Sequence, residues 1–97
     1  MSTFWCLQRP RHLVDREWDG EIVVLNTLTG DTHLLGPVAA VIYRALQRAP
    51  HFDDELTEHL VGELDTEEVT DARGLVEATL LEFSRLGLIA SSSVENR

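Results

Sequence analysis

The sequence predicts one α+β domain, a three-stranded antiparallel sheet followed by three helices. Two observations predict it. The hydrophobic period switches at Gly36-Pro37: before it apolar residues come in short runs and alternations between turn formers, and after it they recur at helical spacing. The order is also strands first and helices last, which gives α+β rather than alternating α/β. Composition agrees, since 97 residues with 43% hydrophobic and 26% charged side chains suit a single modest core and not a disordered chain.

The first ten residues are read as a strand or arm that closes the core, with packing against a second copy of the chain as the alternative. Phe4, Trp5, Cys6 and Leu7 are too apolar for a free tail, although Pro10 cuts any strand short. A meander over about 12–16, 21–27 and 31–35 follows. Asp19-Gly20 is a strong hairpin signal between its first two strands. Glu21–Leu25 is aliphatic and β-branched, Asn26–Gly30 is dense in turn formers, and Asp31–Leu35 alternates. Such a short hairpin cannot bury its apolar face alone, so the helices must cover it. The last strand is the expected sheet edge, and its unpaired N–H and C=O groups are open to another chain. That edge is the first candidate for function.

Pro37 suits a first helical turn because its missing N–H would have had no partner there. Val38, Val41, Ile42, Ala45 and Leu46 then form one apolar stripe, Arg44, Gln47 and Arg48 take the other side, and Ala49-Pro50 stops the helix. Asp53 is the expected N-cap of a second helix, with Leu56 and Leu60 buried and Gly62 as a left-handed C-terminal residue. A third helix is expected from Asp65 or Thr66, where Asp65 and Glu68 resemble a capping box. Its main stripe is Val69, Ala72, Val76, Leu80 and Phe83, flanked by Leu75, Thr79 and Leu86. Gly87 ends it, with Leu88 folding back on Phe83. Leu88-Ile89-Ala90 adds a short strand or packs, and Ser91–Arg97 is a polar tail expected to fray.

Several chemistries find no support. His12, His33, His51 and His59 never fall into a metal-ligand spacing, and Cys6 has no partner cysteine. The expectation is therefore no metal, no cofactor and no disulfide, in keeping with a reducing cytoplasm. A nucleophile would need a base and an orienter to which the sequence does not point, so no enzyme is expected. Asp53-Asp54 and Glu67-Glu68 read as helix starts. No apolar run approaches the ~20 residues of a membrane span, and the N-terminus lacks the order of a signal peptide. His33, beside Asp31 and Thr32 on the edge strand, is either a ligand contact or a solvated strand residue.

The second and third helices have the outline of a helix-turn-helix, and strands beside them suggest a winged helix, which makes DNA binding the alternative reading. The charge opposes it. The formal net charge is −9, and the third helix carries Glu67, Glu68, Asp71, Glu77 and Glu82 against Arg73 and Arg85. Phosphates would repel such a helix. A generic protein-interaction subunit remains a further alternative.

The run WDGEIVVLNTLTGDTHLLGPVAAVIYRAL, with the later DELTEHL and the closing LLEFSRLGLI, resembles the PqqD family of peptide chaperones. Its GDTHLL segment is similar to the subgroup found with the HPr-kinase-related "HPr-rel-A" system. The likeness covers about residues 11–90 and departs at Leu35-Gly36-Pro37, where many members have Leu-Asn before the helix. It implies a RiPP recognition element: three strands and three helices in a winged-helix-like fold, binding the leader of a ribosomally made precursor peptide and presenting its core to a modifying enzyme. The leader is implied to add as a strand to Asp31, Thr32, His33, Leu34 and Leu35 and to lie along the third helix, by β-augmentation. On that helix the expected groove wall is Val76, Leu80 and Leu81, with Arg73, Glu77 and Ser84 as polar rim. A homodimer through the same edge or through Phe4–Leu7 fits equally well.

Overall fold

In the computed structural model, which describes residues 2–63 and 71–94 and the side chains of 3–63 and 71–91, the first hairpin closes where the sequence puts it. Asp19 (φ 54°) and Gly20 (φ 78°) both take positive φ, the requirement of a two-residue type I′ turn. They join β2 (Leu13–Trp18) to β3 (Glu21–Asn26). The Asn26 side-chain carbonyl accepts from Leu28 N–H at 2.9 Å, and Gly30 (φ 81°) turns the chain into β4 (Thr32–Leu35). These three strands make one antiparallel sheet in the order β2-β3-β4. The chain then enters α1 (Pro37–Arg48) with proline in the first turn, as expected.

A second sheet, which the sequence did not predict, has the order β5-β1-β6. β1 (Ser2–Leu7) pairs antiparallel with β5 (His51–Phe52) on one side and β6 (Ile89–Val94) on the other. The apolar N-terminal residues are therefore a central strand of the domain's own fold, and both edges of β1 are occupied. The expected fraying from Ser91 is corrected by the same pairing: β1 supplies partners as far as Val94, and backbone bonding needs no hydrophobic pattern. The Trp5 indole N–H donates to Asp53 Oδ1 and fixes this sheet to the start of α2 (Asp53–Glu63).

Gly62 lies inside α2 and not at a left-handed cap. α3 (Ala72–Arg85) begins behind Asp71, whose side chain accepts from Gly74 N–H at 3.1 Å. Asp71 itself is non-helical (φ −138°, ψ 65°), so α3 starts at Ala72. The expected start at Asp65 or Thr66, its capping box and Val69 lie in 64–70, outside the described residues. The end of α3 is as expected: Gly87 (φ 74°) sends its N–H to Ser84 O at 3.1 Å, and Leu88 N–H reaches Phe83 O at 2.9 Å. Those two bonds are the Schellman pattern.

The inner face of the β2-β3-β4 sheet supplies Ile22, Val24 and Leu35 to one core, which α1 completes with Ile42, Tyr43, Ala45 and Leu46. Leu56 and Leu60 come from α2, and Val76, Leu80 and Phe83 from α3. Tyr43 is wholly buried, and among the described residues its hydroxyl has no hydrogen-bond partner. Burial first, and the nearby Asp15 carboxylate second, push its phenol up to about 12.

Candidate functional site

The β2-β3-β4 sheet has two edges, and the chain treats them differently. On β2 the side chains of Asp15 and Glu17 are held from α1. Arg44 pairs with Asp15 at 2.9 Å and with Glu17 at 3.0 Å, and Gln47 donates to Asp15 at 2.8 Å. Inward-pointing charges on an edge strand discourage pairing with another chain. β4 carries no acidic or basic residue other than His33.

Among the described residues no strand pairs with the outer side of β4, and register decides which of its backbone groups face that side. Asn26 N–H donates to Asp31 O at 2.8 Å, and the pairs that follow are Leu25↔Thr32, Val24↔His33, Val23↔Leu34 and Ile22↔Leu35. Alternation along an antiparallel ladder then turns the backbone groups of His33 and Leu35 toward β3 and those of Thr32 and Leu34 toward the open edge. Side chains alternate as well: Leu35 is 3% exposed in the core, and Leu34 is 67% exposed on the outer face. His33 is half-buried on the inner face beside Leu35.

Beside this edge runs an apolar groove of about 430 Å³ between β4, the start of α1 and α3. One wall is residues 34–39, and the other is Leu75, Ala78, Thr79, Glu82 and Phe83 of α3 with its C-cap Leu86. Polar groups are few. The Thr79 hydroxyl is already given to Leu75 O at 2.8 Å, and Glu82 stands 3.6 Å from Arg85. The groove can accept apolar side chains, and the adjoining edge can accept a strand.

Of the residues expected to form the site, Leu34 and Leu35 line this groove, and Asp31, Thr32 and His33 lead into it along the edge. The α3 residues fall elsewhere. Val76 (0% exposed) and Leu80 (3%) are in the core. Arg73 is paired with Asp54, and Leu81, Glu77 and Ser84 are exposed; none of these four lines the groove. At about 100° per residue, Arg73, Glu77, Leu81 and Ser84 lie on one side of the buried row, and Leu75, Ala78, Thr79, Glu82 and Leu86 on the other. The sequence marks both borders of the stripe, and only the position of β4 says which one faces the edge. Among the described residues, no group of three or more His, Cys, Asp or Glu could hold a metal ion, and no helix is long and apolar enough to cross a membrane.

No protein-family model matches the chain, and no curated protein matches it. Two solved structures do. TbiB1 in complex with the TbiA(beta) leader peptide superposes with a TM-score of 0.69 at 17% identity, covering 93% of this chain and 99% of that one. Lasso peptide synthetase B1 complexed with the leader peptide superposes with a TM-score of 0.67 at 22% identity, covering 89% of this chain and 96% of that one. At these identities the likeness is one of fold, and nearly the whole of this chain shares the fold of those two leader-bound proteins.

Proposed function

We propose that this domain is a non-catalytic leader-binding module. It captures the leader of a ribosomally synthesised precursor peptide by strand addition to β4 and presents the attached core to a modifying enzyme. One observation carries the reading: the unprotected β4 edge and the apolar groove are side by side, so an added strand would pair its backbone with Thr32 and Leu34 while its side chains fill the groove. The protected β2 edge and the leader complexes of the two similar structures support it. The resemblance of GDTHLL to the HPr-related subgroup points to a precursor and an enzyme of that system, with the cytoplasm as the site of action.

The experiment is amide chemical-shift mapping of the labelled chain during titration with a synthetic leader. Shifts at Thr32, Leu34 and the groove side of α3 are expected. Shifts confined to β1 or to the outer turns of α1, with β4 silent, would overturn the proposal.

A further inference from the structure

A strand with one buried face is expected to show polar residues outward. The β2-β3-β4 sheet departs from this. On its outer face Val14 is 52% exposed, Trp18 59%, Leu25 38% and Leu34 67%. Cross-strand pairing sets Val14, Leu25 and Leu34 in two rows, Val14–Leu25–Thr32 and Arg16–Val23–Leu34, each ending at the open edge, while Trp18 stands beside Glu21. Of the outward-facing residues Arg16, Glu21 and Thr32 are polar, and Val14, Trp18, Val23, Leu25 and Leu34 are apolar, so Leu34 is the apolar outward residue of the strand on which the leader is proposed to pair.

A strand added to β4 continues the pleat, whichever way its chain runs. The peptide residue beside Leu35 turns inward to the groove, and the one beside Leu34 turns outward. A peptide alternating cleanly between apolar and polar residues would fill the groove and lay a polar side chain against Leu34. A peptide with two consecutive apolar residues covers both.

We infer that the recognised leader segment carries two adjacent apolar residues, one seated in the groove and the next packed on Leu34, and that Leu34 selects the second. This rests on the peptide-binding reading above. Arg16, the charged member of the same row, is two strands farther from the edge, which at ~4.8 Å per strand leaves Leu34 as the immediate neighbour.

The test is selection of a phage-displayed library of random 12-residue peptides on the full chain and on Leu34→Glu, Leu34→Lys, Leu34→Ala and Val14→Glu. Both positions are exposed, and melting temperatures confirm folding. The wild-type chain should select an adjacent apolar pair. Leu34→Glu should change one member of the pair to Lys or Arg, Leu34→Lys should change the same member to Asp or Glu, and Leu34→Ala should relax it. The other member should stay apolar throughout, and Val14→Glu should select as the wild type does. Peptides whose pair is indifferent to Leu34→Glu and Leu34→Lys overturn this inference alone. Failure of the wild-type chain to enrich any peptide overturns the peptide-binding reading and the inference with it.

Discussion

Ala78→Arg separates binding from folding at the groove. Ala78 is an exposed residue of α3 on the groove wall, so a long side chain there occupies the groove without disturbing the core. Arginine is nearly as good a helix former as alanine, and Glu82 four residues on gives it a partner. Folding stability should therefore change by no more than about 0.5 kcal/mol. Binding has less margin. A micromolar complex needs about −8 kcal/mol. Thr32 and Leu34 offer some four outward backbone groups, each worth ~1 kcal/mol net, and association costs consume much of that. Leader side chains buried in the groove must supply the rest at ~1.5–3 kcal/mol each. Excluding one of them weakens binding by roughly ten- to a hundredfold, and excluding two by more. Fluorescence anisotropy of a labelled leader, paired with a thermal melt, reads both quantities. Leu81→Asp is the control: Leu81 is 64% exposed on the opposite side of α3, and its loss should move the Kd by less than about threefold. Wild-type affinity in Ala78→Arg together with lost binding in Leu81→Asp would refute the placement of the groove.

The ladder register makes a paired prediction: Thr32→Pro removes an outward donor and weakens leader binding, whereas His33→Pro breaks a β3–β4 bond and lowers the melting temperature of the free protein. Gly87→Val should destabilise by about 1–2 kcal/mol in chemical denaturation. Among the described residues, no atom beyond its chain neighbours lies within 4 Å of a Cβ placed there, so the cost is that of the left-handed backbone itself. Tyr43 is the single tyrosine, so ultraviolet titration reports it alone. Its folded phenol at about 12 lies above the ordinary 10, so the neutral form is favoured on folding. That contribution is fully present below pH ~10 and is lost as pH rises through about 12. Tyr43→Phe should remove this slope and, by deleting a buried hydroxyl without a partner, leave stability at neutral pH unchanged or raised by about 1–2 kcal/mol.

What the sequence revealed was what is local. Asp19-Gly20, the switch at Pro37, the α1 residues Ile42, Ala45 and Leu46, and the Gly87 ending each follow from neighbours within a few positions, and each is in the structure. The second sheet is not local. Cys6 pairs with Ala90 and Trp5 with His51, across separations that no periodicity encodes, and a run such as Ser91–Ser93 has no alternation to announce a strand. The candidate site divides the same way: the strand Thr32–Leu35 is local, and it stands at the sheet edge. The groove depends on which border of the α3 stripe faces β4, and that angle is set by the packing of the whole core, so spacing alone does not choose Leu75, Ala78 and Thr79 over Leu81. Leu75, Thr79 and Leu86 flank that stripe in the sequence, and in the structure they line the groove.

Hydrogen exchange at β4 tests strand addition most directly. In the free protein the amides of Thr32 and Leu34 face solvent and should exchange fast, while those of His33 and Leu35, bonded to β3, should be protected. Saturating leader should slow Thr32 and Leu34 to the rates of their neighbours and leave His33 and Leu35 nearly unchanged. Thr32 and Leu34 still exchanging fast in the saturated complex would contradict the account.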